Sequence, residues 1–450
     1  MLPLLGLSGA ALACTRLFRG YVSLSIRRSN LTLEIVASAR RLTTLQGKMT
    51  AAKCDWKPNF VPVADTIAFT DDPKCLLRIV SYNILAQIVS LAYLPDYWVD
   101  TGKSRPEMKL WRGVVAQIWK NRSEAVVSRL LALDADLLCL QELDEYHTFY
   151  KEILDKAGYG SVYVQRGNKK KDGCGIFFKR TRVSLLSEEI IDYNVLVPPL
   201  PPGEKEVSDD EVEDGSGDEA AQKIGDLNDV RVRLKRDCVG ILAAFKPLEA
   251  PDHVFVLANT HIFWQVDPVL MDVKLAQVHH LADSLVTFKS SIAQEQGVDP
   301  LVFVTGDFNS LPGDSVYKYL TSGTDLSDQP KALEEDVKVL EDKLVKLDVQ
   351  SKEENTGEVK EWVVKIDQSS KFPLPTVSLY AYADEEPPFT NYTVTFVGTL
   401  DYILFVPSER LKPRTLLALP KPGALEVLGG LPNHNHPSDH LPIGCDFGLY

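Results

Sequence analysis

The chain has 450 residues, of which 45% are hydrophobic and 25% are charged, and its formal net charge is −13. This composition is typical of a soluble globular protein, and no apolar run is long enough to span a bilayer. The net charge excludes a generally basic surface, so a nucleic acid would have to be held by a local basic patch or through metal ions. The seven cysteines form no C-x-x-C pair, which argues against a disulfide framework or a cysteine zinc site and indicates a reducing compartment.

The first 48 residues differ from the rest of the chain in charge. They contain six arginines and Lys48 against the single acid Glu34, and they are rich in Ser, Thr, Ala and Leu. This composition is typical of an organellar transit peptide, and a disordered or anchoring arm is the alternative. We therefore expect the full-length chain in a mitochondrion or a plastid, and a form that starts at Met49 in the cytoplasm.

From residue 75 onward, apolar strand-like runs alternate with helical patterns. The predicted strands cover residues 75–82, 136–141, 174–179, 237–246, 253–260, 301–306 and 400–406. Helices are predicted over 111–133 and 272–288, with Asp272 as the cap of the second helix. This alternation indicates α/β layering, and strands that are apolar on both faces indicate sheets covered on both sides.

Two segments interrupt this alternation. Residues 200–229 are proline-rich and then densely acidic, which predicts a disordered insertion at the surface. Residues 328–370 form a second, helical insertion that contains a short heptad seam. The members of the seam are Leu333, Val337, Leu340, Leu344 and Leu347. A single helix packed on the body is favoured over a dimer, so we expect a monomer, with a protein partner at the 333–347 helix as the open alternative.

Polar side chains stand at the ends of several apolar runs or inside them. They are Asn83, Gln141 and Glu142, Asn259 and His261, Asp307 and Asn309, Asp401, and Asp439 and His440. One such group could be an ordinary turn residue, but unpaired carboxylates beside a core are costly, so the whole set indicates one cleft that holds a hard cation. Carboxylate and amide oxygens without cysteine favour magnesium or manganese.

A zinc site in "NHNHPSDH" is a competing interpretation. This stretch brings His434, His436 and His440 close together in sequence. Zinc normally takes four ligands, and no cysteine stands nearby to complete the set. An exposed loop is therefore the favoured reading of His434 and His436.

Seven ordered blocks resemble one known family. They are "SYNIL", "QELDEY", "DGCGIFFK", "NTHIFW", "GDFNSLPGDSVYKYL", "GTLDYILF" and "PSDHLP". They are similar to the endonuclease/exonuclease/phosphatase superfamily, within it to the branch of carbon catabolite repressor deadenylases, nocturnin and Angel proteins, and "RVRLKRDCVGILAAFK" favours the plant-type nocturnin-like homologues. The resemblance implies a catalytic domain over residues 70–450, folded as a four-layer α/β sandwich of two mainly antiparallel sheets face to face, flanked by helices.

The resemblance also implies a role for each polar group. Magnesium or manganese would be held by Glu142 and Asp439, with Asn83 beside them contacting metal or phosphate. The remaining roles concern the phosphate and the attacking water.

In that second group, Asp307 would hold or deprotonate the water, and Asn309 would donate to a phosphoryl oxygen. Asp401 would fix the tautomer of His440 and favour its charged form, so that His440 donates to the scissile phosphate. His261 would bind the phosphate.

Base recognition is assigned to Phe396 and Pro268, which match the family's adenine-gripping aromatic residue and proline. The family usually reads W-D-P, whereas this chain inserts Gln265-Val266 and so displaces Pro268. A packed core ring is the alternative for Phe396. A strand over residues 231–236 would place Arg231, Arg233 and Lys235 on one face, either to steer a phosphodiester backbone or as a plain solvated face.

The predicted function is therefore metal-dependent phosphoester hydrolysis, with a 3'–5' exoribonuclease that shortens the poly(A) tails of mRNA favoured. The partner would be RNA with a 3' adenylate end or an adenine nucleotide. Two alternatives lie in the same class, a phosphatase on nicotinamide dinucleotide phosphate and one on 2',3'-cyclic phosphate RNA ends. A non-catalytic RNA-binding module is the alternative from another class.

Overall fold

The computed structural model describes residues 56–63, 72–87, 119, 122–167, 170–199, 229–265, 270–323, 371–393, 395–428, 430–433 and 435–450. The predictions for residues 1–48, for Pro268, for His434 and for the insertion 328–370 with its 333–347 helix lie outside these ranges, as does nearly all of the acidic insertion. They stay predictions. The unit from Trp56 to Tyr450 is compact.

The described residues form fifteen strands. They are β1 (Phe60–Pro62), β2 (Cys75–Asn83), β3 (Leu137–Gln141), β4 (Tyr159–Gln165), β5 (Gly173–Lys179), β6 (Val183–Asp192), β7 (Val239–Pro247), β8 (Phe255–His261), β9 (Leu301–Asp307), β10 (Val377–Ser378), β11 (Asn391–Tyr392), β12 (Val397–Gly398), β13 (Asp401–Phe405), β14 (Leu411–Leu417) and β15 (Ile443–Leu449). The seven runs predicted as strands from 75–82 to 400–406 are confirmed, with ends that differ by up to two residues.

Thirteen of these strands form two sheets, and β11 and β12 pair as a separate ribbon. The first sheet has the order β1-β14-β15-β2-β3-β5-β4, and the second has the order β10-β13-β9-β8-β7-β6. Each sheet contains one parallel pair, β2 with β3 and β8 with β9, and its other pairs are antiparallel. Because both strands of a parallel pair end at the same edge, each pair brings two strand ends together.

Three apolar clusters explain why these strands stack in layers. The central cluster contains residues from both sheets, among them Ile79, Cys139, Ile241, Leu257 and Phe303. The inner faces of the sheets therefore pack against each other, and each fully buried side chain contributes roughly 1.5–3 kcal/mol. The other two clusters cover the outer faces.

Helices supply these outer layers. They cover residues 122–133, Lys151–Lys156, Val230–Leu234, Met271–Gln296, Ser315–Thr321 and Leu379–Ala383, with a π-helical turn at Tyr146–Tyr150 and a 3-10 turn at Tyr193–Leu196. The helix over 122–133 packs on the first sheet, and the long helix Met271–Gln296 packs on the second. The predicted four-layer sandwich is confirmed. No helix in the described part of the chain is both long enough and apolar enough to cross a membrane.

One predicted strand and one predicted helix cap are wrong. The segment predicted as a strand over 231–236 is largely helical, because the carboxylate of Asp229 caps its first turn by accepting from the Arg231 N–H, and Val230 and Leu234 bury one face. Asp272 is not the cap of the long helix, which follows Leu270. Asp272 instead lies in the first turn and accepts two hydrogen bonds of 2.7 Å from Arg233.

Candidate active site

Asn83, the last residue of β2, joins the two sheets at their common edge. Its Nδ2 donates to Glu142 Oε1 and to Asp307 Oδ2, at 3.0 Å each. Its Oδ1 accepts from the Leu85 N–H at 3.0 Å, so the orientation of the amide is fixed by three bonds. One buried amide therefore couples the carboxylate that follows β3 to the carboxylate that ends β9.

Glu142 has a backbone conformation that glutamate rarely adopts. Its φ is 53°, in the left-handed region, directly after β3. The Ala86 N–H donates to its Oε2 at 2.8 Å. Burial and the nearby Asp439 carboxylate raise the pKa of Glu142. The fold thus holds this carboxylate in place at an electrostatic cost, which is typical of a functional position.

Asp307 lies at the centre of the site. Its Oδ1 accepts from the Asn309 N–H at 3.0 Å, while Oδ2 stands 3.5 Å from His261 Nε2 and 3.6 Å from His440 Nε2. Burial, together with the Asp401 carboxylate, raises the pKa of Asp307 to about 7, although His440 and Asn83 oppose the rise. A carboxyl group with a pKa of about 7 can accept a proton at neutral pH.

Asp401 and His440 form the predicted carboxylate–imidazole pair. His440 Nδ1 lies 2.7 Å from Asp401 Oδ2, which also accepts from Thr390 Oγ1 at 2.6 Å. Burial alone would lower the pKa of His440, but the carboxylates of Asp401, Asp439 and Asp307 outweigh it and raise the pKa well above its ordinary value. His440 is therefore charged, with its Nε2–H toward Asp307.

His261, on the other side of Asp307, is neutral. Burial and the Arg166 guanidinium lower its pKa well below the ordinary value. Arg166 Nη2 lies 2.6 Å from His261 Nδ1, and because a guanidinium can only donate, Nδ1 accepts and the ring proton sits on Nε2. Two imidazoles of opposite charge state thus present N–H groups to one carboxylate oxygen.

Asp439 is held between two elements that the sequence separates widely. Asn391 Nδ2 donates to its Oδ2 at 3.1 Å. The neighbouring Ser438 donates from Oγ to the Asn83 carbonyl at 2.7 Å and accepts from the His440 N–H at 3.1 Å. These bonds tie the "PSDH" turn to the end of β2.

The donor set fits a divalent cation. Asp307, Asp401 and His440 have polar atoms within 4.8 Å of one another, and Asn83 joins the buried Glu142 carboxylate to Asp307. A charged His440 paired with Asp401 cannot itself bind a cation, so the remaining carboxylate oxygens are the available ligand atoms. Burial and the Asp439 carboxylate raise the pKa of Glu142, and burial and the Asp401 carboxylate raise that of Asp307, which indicates negative charge in excess of the local positive charge. Hard oxygen donors of this kind suit magnesium or manganese.

Asn309 is placed at the site but makes a structural contact. Its φ is 46°, and its Nδ2 donates to the Ile262 carbonyl at 3.1 Å. Lys274, a buried lysine of the long helix, donates from Nζ to the Asn309 carbonyl at 2.6 Å. The left-handed turn after β9 is therefore fixed from two sides.

Gln141 and Asn259 lie beneath the site. Gln141 Nε2 donates to Asn259 Oδ1 at 2.7 Å, and Asn259 Nδ2 donates to the carbonyls of Leu140 and Gly175 at 3.0 Å each. Both side chains are fully buried. They are joined by one hydrogen bond between the sheets and form a polar floor, in which Gln141 Oε1 has no partner among the described residues.

Phe396 is half-buried in the turn that joins β11 to β12. Its ring lies against Gly398, where an added Cβ would stand 3.0 Å from the ring's Cζ. Its backbone N–H donates to Thr393 Oγ1 at 2.9 Å. The turn conformation is fixed, and the assignment of Phe396 to base binding stays a prediction, as does that of Pro268.

All eight predicted metal and catalytic residues that the structure describes meet at one edge of the sandwich. The sequence reading missed the residues that orient them, among them Arg166, Lys274, Thr390, Asn391 and Ser438. Lys274 had a usable signal, because it is a charged residue on the apolar face of a predicted helix. The others carried none, because their partners are distant in sequence.

Comparison with known proteins agrees with this geometry. A profile of the Endonuclease/Exonuclease/phosphatase family matches residues 80–440. Carbon catabolite repressor protein 4 homolog 4 of Arabidopsis thaliana is 42% identical over 375 residues, covering 83% of this chain and 77% of that protein. The 3'-5'-exoribonuclease subunit Ccr4 of the Saccharomyces cerevisiae CCR4-Not complex is 26% identical over 394 residues, covering 84% of this chain but only 39% of the yeast protein.

A solved structure has the same fold. ANGEL2, described as a 2',3'-cyclic phosphatase and bound to adenosine-2',3'-vanadate, matches with a TM-score of 0.55 at 24% identity, covering 88% of this chain and 99% of that one. The profile match extends from β2 to His440, so it includes every strand end that carries a site residue.

Proposed function

The chain belongs to the endonuclease/exonuclease/phosphatase family, and on that premise we propose that it is a 3'–5' exoribonuclease that depends on magnesium or manganese and shortens the poly(A) tails of mRNA. The relatives named above as carbon catabolite repressor and Ccr4 proteins support this substrate, because they match most of this chain.

One observation carries the proposal. Asp307 Oδ2 stands between the Nε2 atoms of His261 and His440, at 3.5 and 3.6 Å. The three groups supply a proton acceptor, a neutral donor and a charged donor at one place. Phosphoester hydrolysis needs this combination, because a water must lose a proton while the phosphoryl oxygens gain charge.

The residues act as follows. Asp307 orients the attacking water and accepts its proton. His440, kept charged by Asp401, donates from Nε2 to a phosphoryl oxygen and stabilises the charge that develops there. His261 binds the phosphate through the Nε2–H that Arg166 fixes. Asn309, if its side chain turns from Ile262, donates to the same phosphoryl group.

Glu142 and Asp439 would hold the cation, and Asn83 orients the Glu142 carboxylate. The cation, when bound, supplies a Lewis acid that polarises the phosphoryl oxygen. Phe396 would stack on the terminal adenine, since it lies five residues before Asp401 on the strand pair that leads into the site.

A substrate panel with purified protein tests the proposal. Polyadenylated RNA, nicotinamide dinucleotide phosphate and RNA with a 2',3'-cyclic phosphate end would each be incubated with magnesium, with manganese and with a chelator. We expect stepwise release of adenylate from the first substrate and none in chelator. Asp307→Asn is the inactive control, and Asp252→Asn, an exposed change, is the matched one.

The other outcomes separate the alternatives. Release of phosphate from the dinucleotide, or opening of the cyclic phosphate, without shortening of the RNA would replace the proposed substrate by that one. RNA binding without any turnover would favour the non-catalytic module. Full turnover in chelator would exclude the metal.

We also propose that residues 1–48 direct the chain to a mitochondrion or a plastid, on the basis of their arginine-rich and acid-poor composition. Residues 1–60 fused to a fluorescent reporter should accumulate in one of these organelles. A reporter that starts at Met49 is the control and should stay diffuse. A diffuse signal from both fusions would contradict the proposal.

A further inference from the structure

Three basic side chains form a rim beside His261, which we call the cationic rim: Arg166, Lys170 and Arg236. The first two stand between β4 and β5 of the first sheet, and Arg236 stands before β7 of the second. Val239 of β7 pairs with His261 of β8, so the chain that precedes β7 lies at the catalytic edge. Lys170 Nζ donates to the Arg236 carbonyl at 2.9 Å and joins the two sides.

Two members of the rim have acidic partners. Arg166 Nε lies 3.1 Å from Asp172 Oδ2, and Lys170 Nζ lies 3.7 Å from Asp237 Oδ2. Arg166 also donates to His261, so its guanidinium is committed to orienting that ring. These two cations are therefore balanced within the protein.

Arg236 differs from them. Its guanidinium carbon lies over the Phe263 ring, 4.5 Å from the ring centroid, and the side chain has no ion pair in the described part of the chain. Its Nε and Nη2 are buried there without a hydrogen-bond partner. Burial also lowers the pKa of Arg236. Buried charged donors are costly unless an acceptor completes them, and the described part of the chain supplies none for this side chain, which is therefore suited to an acceptor on a ligand.

The platform under Arg236 is rigid. The Phe263 N–H donates to Gln277 Oε1 at 2.9 Å, and Phe263 lies two residues after His261. A guanidinium placed over an aromatic ring still has its donor edge available to an acceptor. The position of this donor edge is thus set relative to the catalytic histidine.

The missing acceptor should be a phosphate. A planar guanidinium matches two oxygens of a phosphate, and the chain, with a net charge of −13, needs local cations to hold a polyanion. We propose that Arg236 binds the phosphodiester on the 5' side of the scissile one, so that the site holds two consecutive phosphates of single-stranded RNA. This inference rests on the proposed exoribonuclease function and adds to it a preference for chains over dinucleotides.

Kinetics on two oligoadenylates test the inference. The dinucleotide ApA contains only the scissile phosphodiester, whereas the hexanucleotide contains its neighbours. Arg236→Gln should raise KM for the hexanucleotide about tenfold, as expected for loss of one charge-assisted contact, and should change KM for ApA little. It should also reduce the slope of log KM against log salt by about 0.7. Arg236→Lys should recover only part of the loss, because an ammonium group cannot donate two parallel hydrogen bonds to a phosphate as a guanidinium can.

Lys246→Gln is the matched control. Lys246 lies at the opposite end of β7 from the catalytic edge, and its loss changes the net charge equally. If Arg236→Gln and Lys246→Gln raise KM for the hexanucleotide equally, the effect comes from the general electrostatic field of the protein, and the inference is overturned. An equal rise of KM on ApA and on the hexanucleotide would show that Arg236 acts through His261 or the fold, and would overturn it as well.

A binding measurement separates this inference from the proposed function. Fluorescence anisotropy of labelled hexaadenylate on Asp307→Asn, with and without Arg236→Gln, needs no turnover. If the wild-type protein does not shorten RNA, the proposed function fails, and about tenfold weaker binding with Arg236→Gln still supports the phosphate contact. Equal binding of the two proteins overturns it. Equal melting temperatures exclude misfolding as the cause.

Discussion

The two sheets present the same local architecture to the cleft but different chemistry. The parallel pair β2 and β3 in the first sheet delivers Asn83 and Glu142, an amide and a carboxylate. The parallel pair β8 and β9 in the second sheet delivers His261 and Asp307, an imidazole and a carboxylate. The parallel pairs decide where the side chains meet, and the neighbours of each side chain decide what it can do there.

The contrast extends to charge. On the first sheet's side, burial and Asp439 raise the pKa of Glu142, so a cation bound there would stabilise the ionised carboxylate. Around Asp307 of the second sheet, burial and the Arg166 guanidinium lower the pKa of His261, whereas the Asp401 carboxylate raises the pKa of His440, which burial alone would lower. We call Asn83, Glu142 and Asp439 the first half of the site, and His261, Asp307, Asp401 and His440 the second half. If the first half holds the metal and the second half moves protons, substitutions in the two halves should change different kinetic parameters.

The largest effect is expected from the first half. Glu142→Gln keeps an acceptor for Asn83 but removes the charge, so kcat should fall on the order of 10³-fold. The magnesium concentration for half-maximal activity should rise at the same time. Titration of activity with magnesium measures both.

The control for that change is Glu249→Gln, which removes an exposed carboxylate paired with Arg182 on the surface. It should leave both quantities unaltered. An active Glu142→Gln protein with the metal dependence of the wild type would show that the first sheet does not hold the cation.

A smaller effect is expected from the second half. Asp401→Asn removes the carboxylate that fixes His440, so kcat should fall on the order of 10²-fold. The metal dependence should not change, in contrast to Glu142→Gln. Steady-state kinetics across magnesium concentrations distinguish the two signatures.

The pair should also behave as a unit. The double variant Asp401→Asn with His440→Gln should be about as slow as the slower single variant, because groups that act together are not additive. If the losses of kcat in the two single variants multiply in the double variant, the two residues work independently. If the magnesium concentration for half-maximal activity also shifts, the assignment of metal binding to the first half alone is wrong.

The smallest effect concerns a residue that contacts the site only through the Asn309 carbonyl. Lys274→Met removes the 2.6 Å bond to the Asn309 carbonyl and also removes a buried ammonium. The pKa of Lys274 is lowered by burial, so its charge is costly to the fold. We expect kcat to fall about tenfold through misplacement of the turn after β9, while the melting temperature is unchanged or higher.

Lys289→Met, on the same helix, is the control and should not slow turnover, because Lys289 pairs with Asp299, which precedes β9 at the end opposite Asp307. A parallel loss of activity and of melting temperature in Lys274→Met would identify Lys274 as a purely structural residue.

Much of the sandwich was predictable because its central strands are buried on both faces. Runs such as that of β8 are continuously apolar and end in polar residues, so pattern alone located them. β6 was missed because it is an edge strand with exposed glutamates and a register shift between Leu185 and Ser187. Pairing with β7 stabilises β6 as a strand although its sequence lacks a clear strand pattern.

Local errors had a similar origin. The "RVRLKR" segment carries alternating apolar and basic residues, which predicts a strand, yet the Asp229 cap and the burial of Val230 and Leu234 favour a helical turn. Asp272 had the right residue type for a cap, but Arg233, a residue far back in the chain, engages its carboxylate. In both cases a single contact outweighed a weak local preference.

The candidate reactive groups could be predicted from the sequence, because carboxylate, amide and imidazole side chains at the ends of several apolar runs are hard to explain together as turn residues. Their charge states were decided by the tertiary structure alone. His261 and His440 are the same residue type beside the same carboxylate, and they differ because one ring accepts from Arg166 and the other donates to Asp401. A pKa depends on burial and on charges within a few ångströms, and such distances exist only once β4, β8, β13 and the "PSDH" turn have come together.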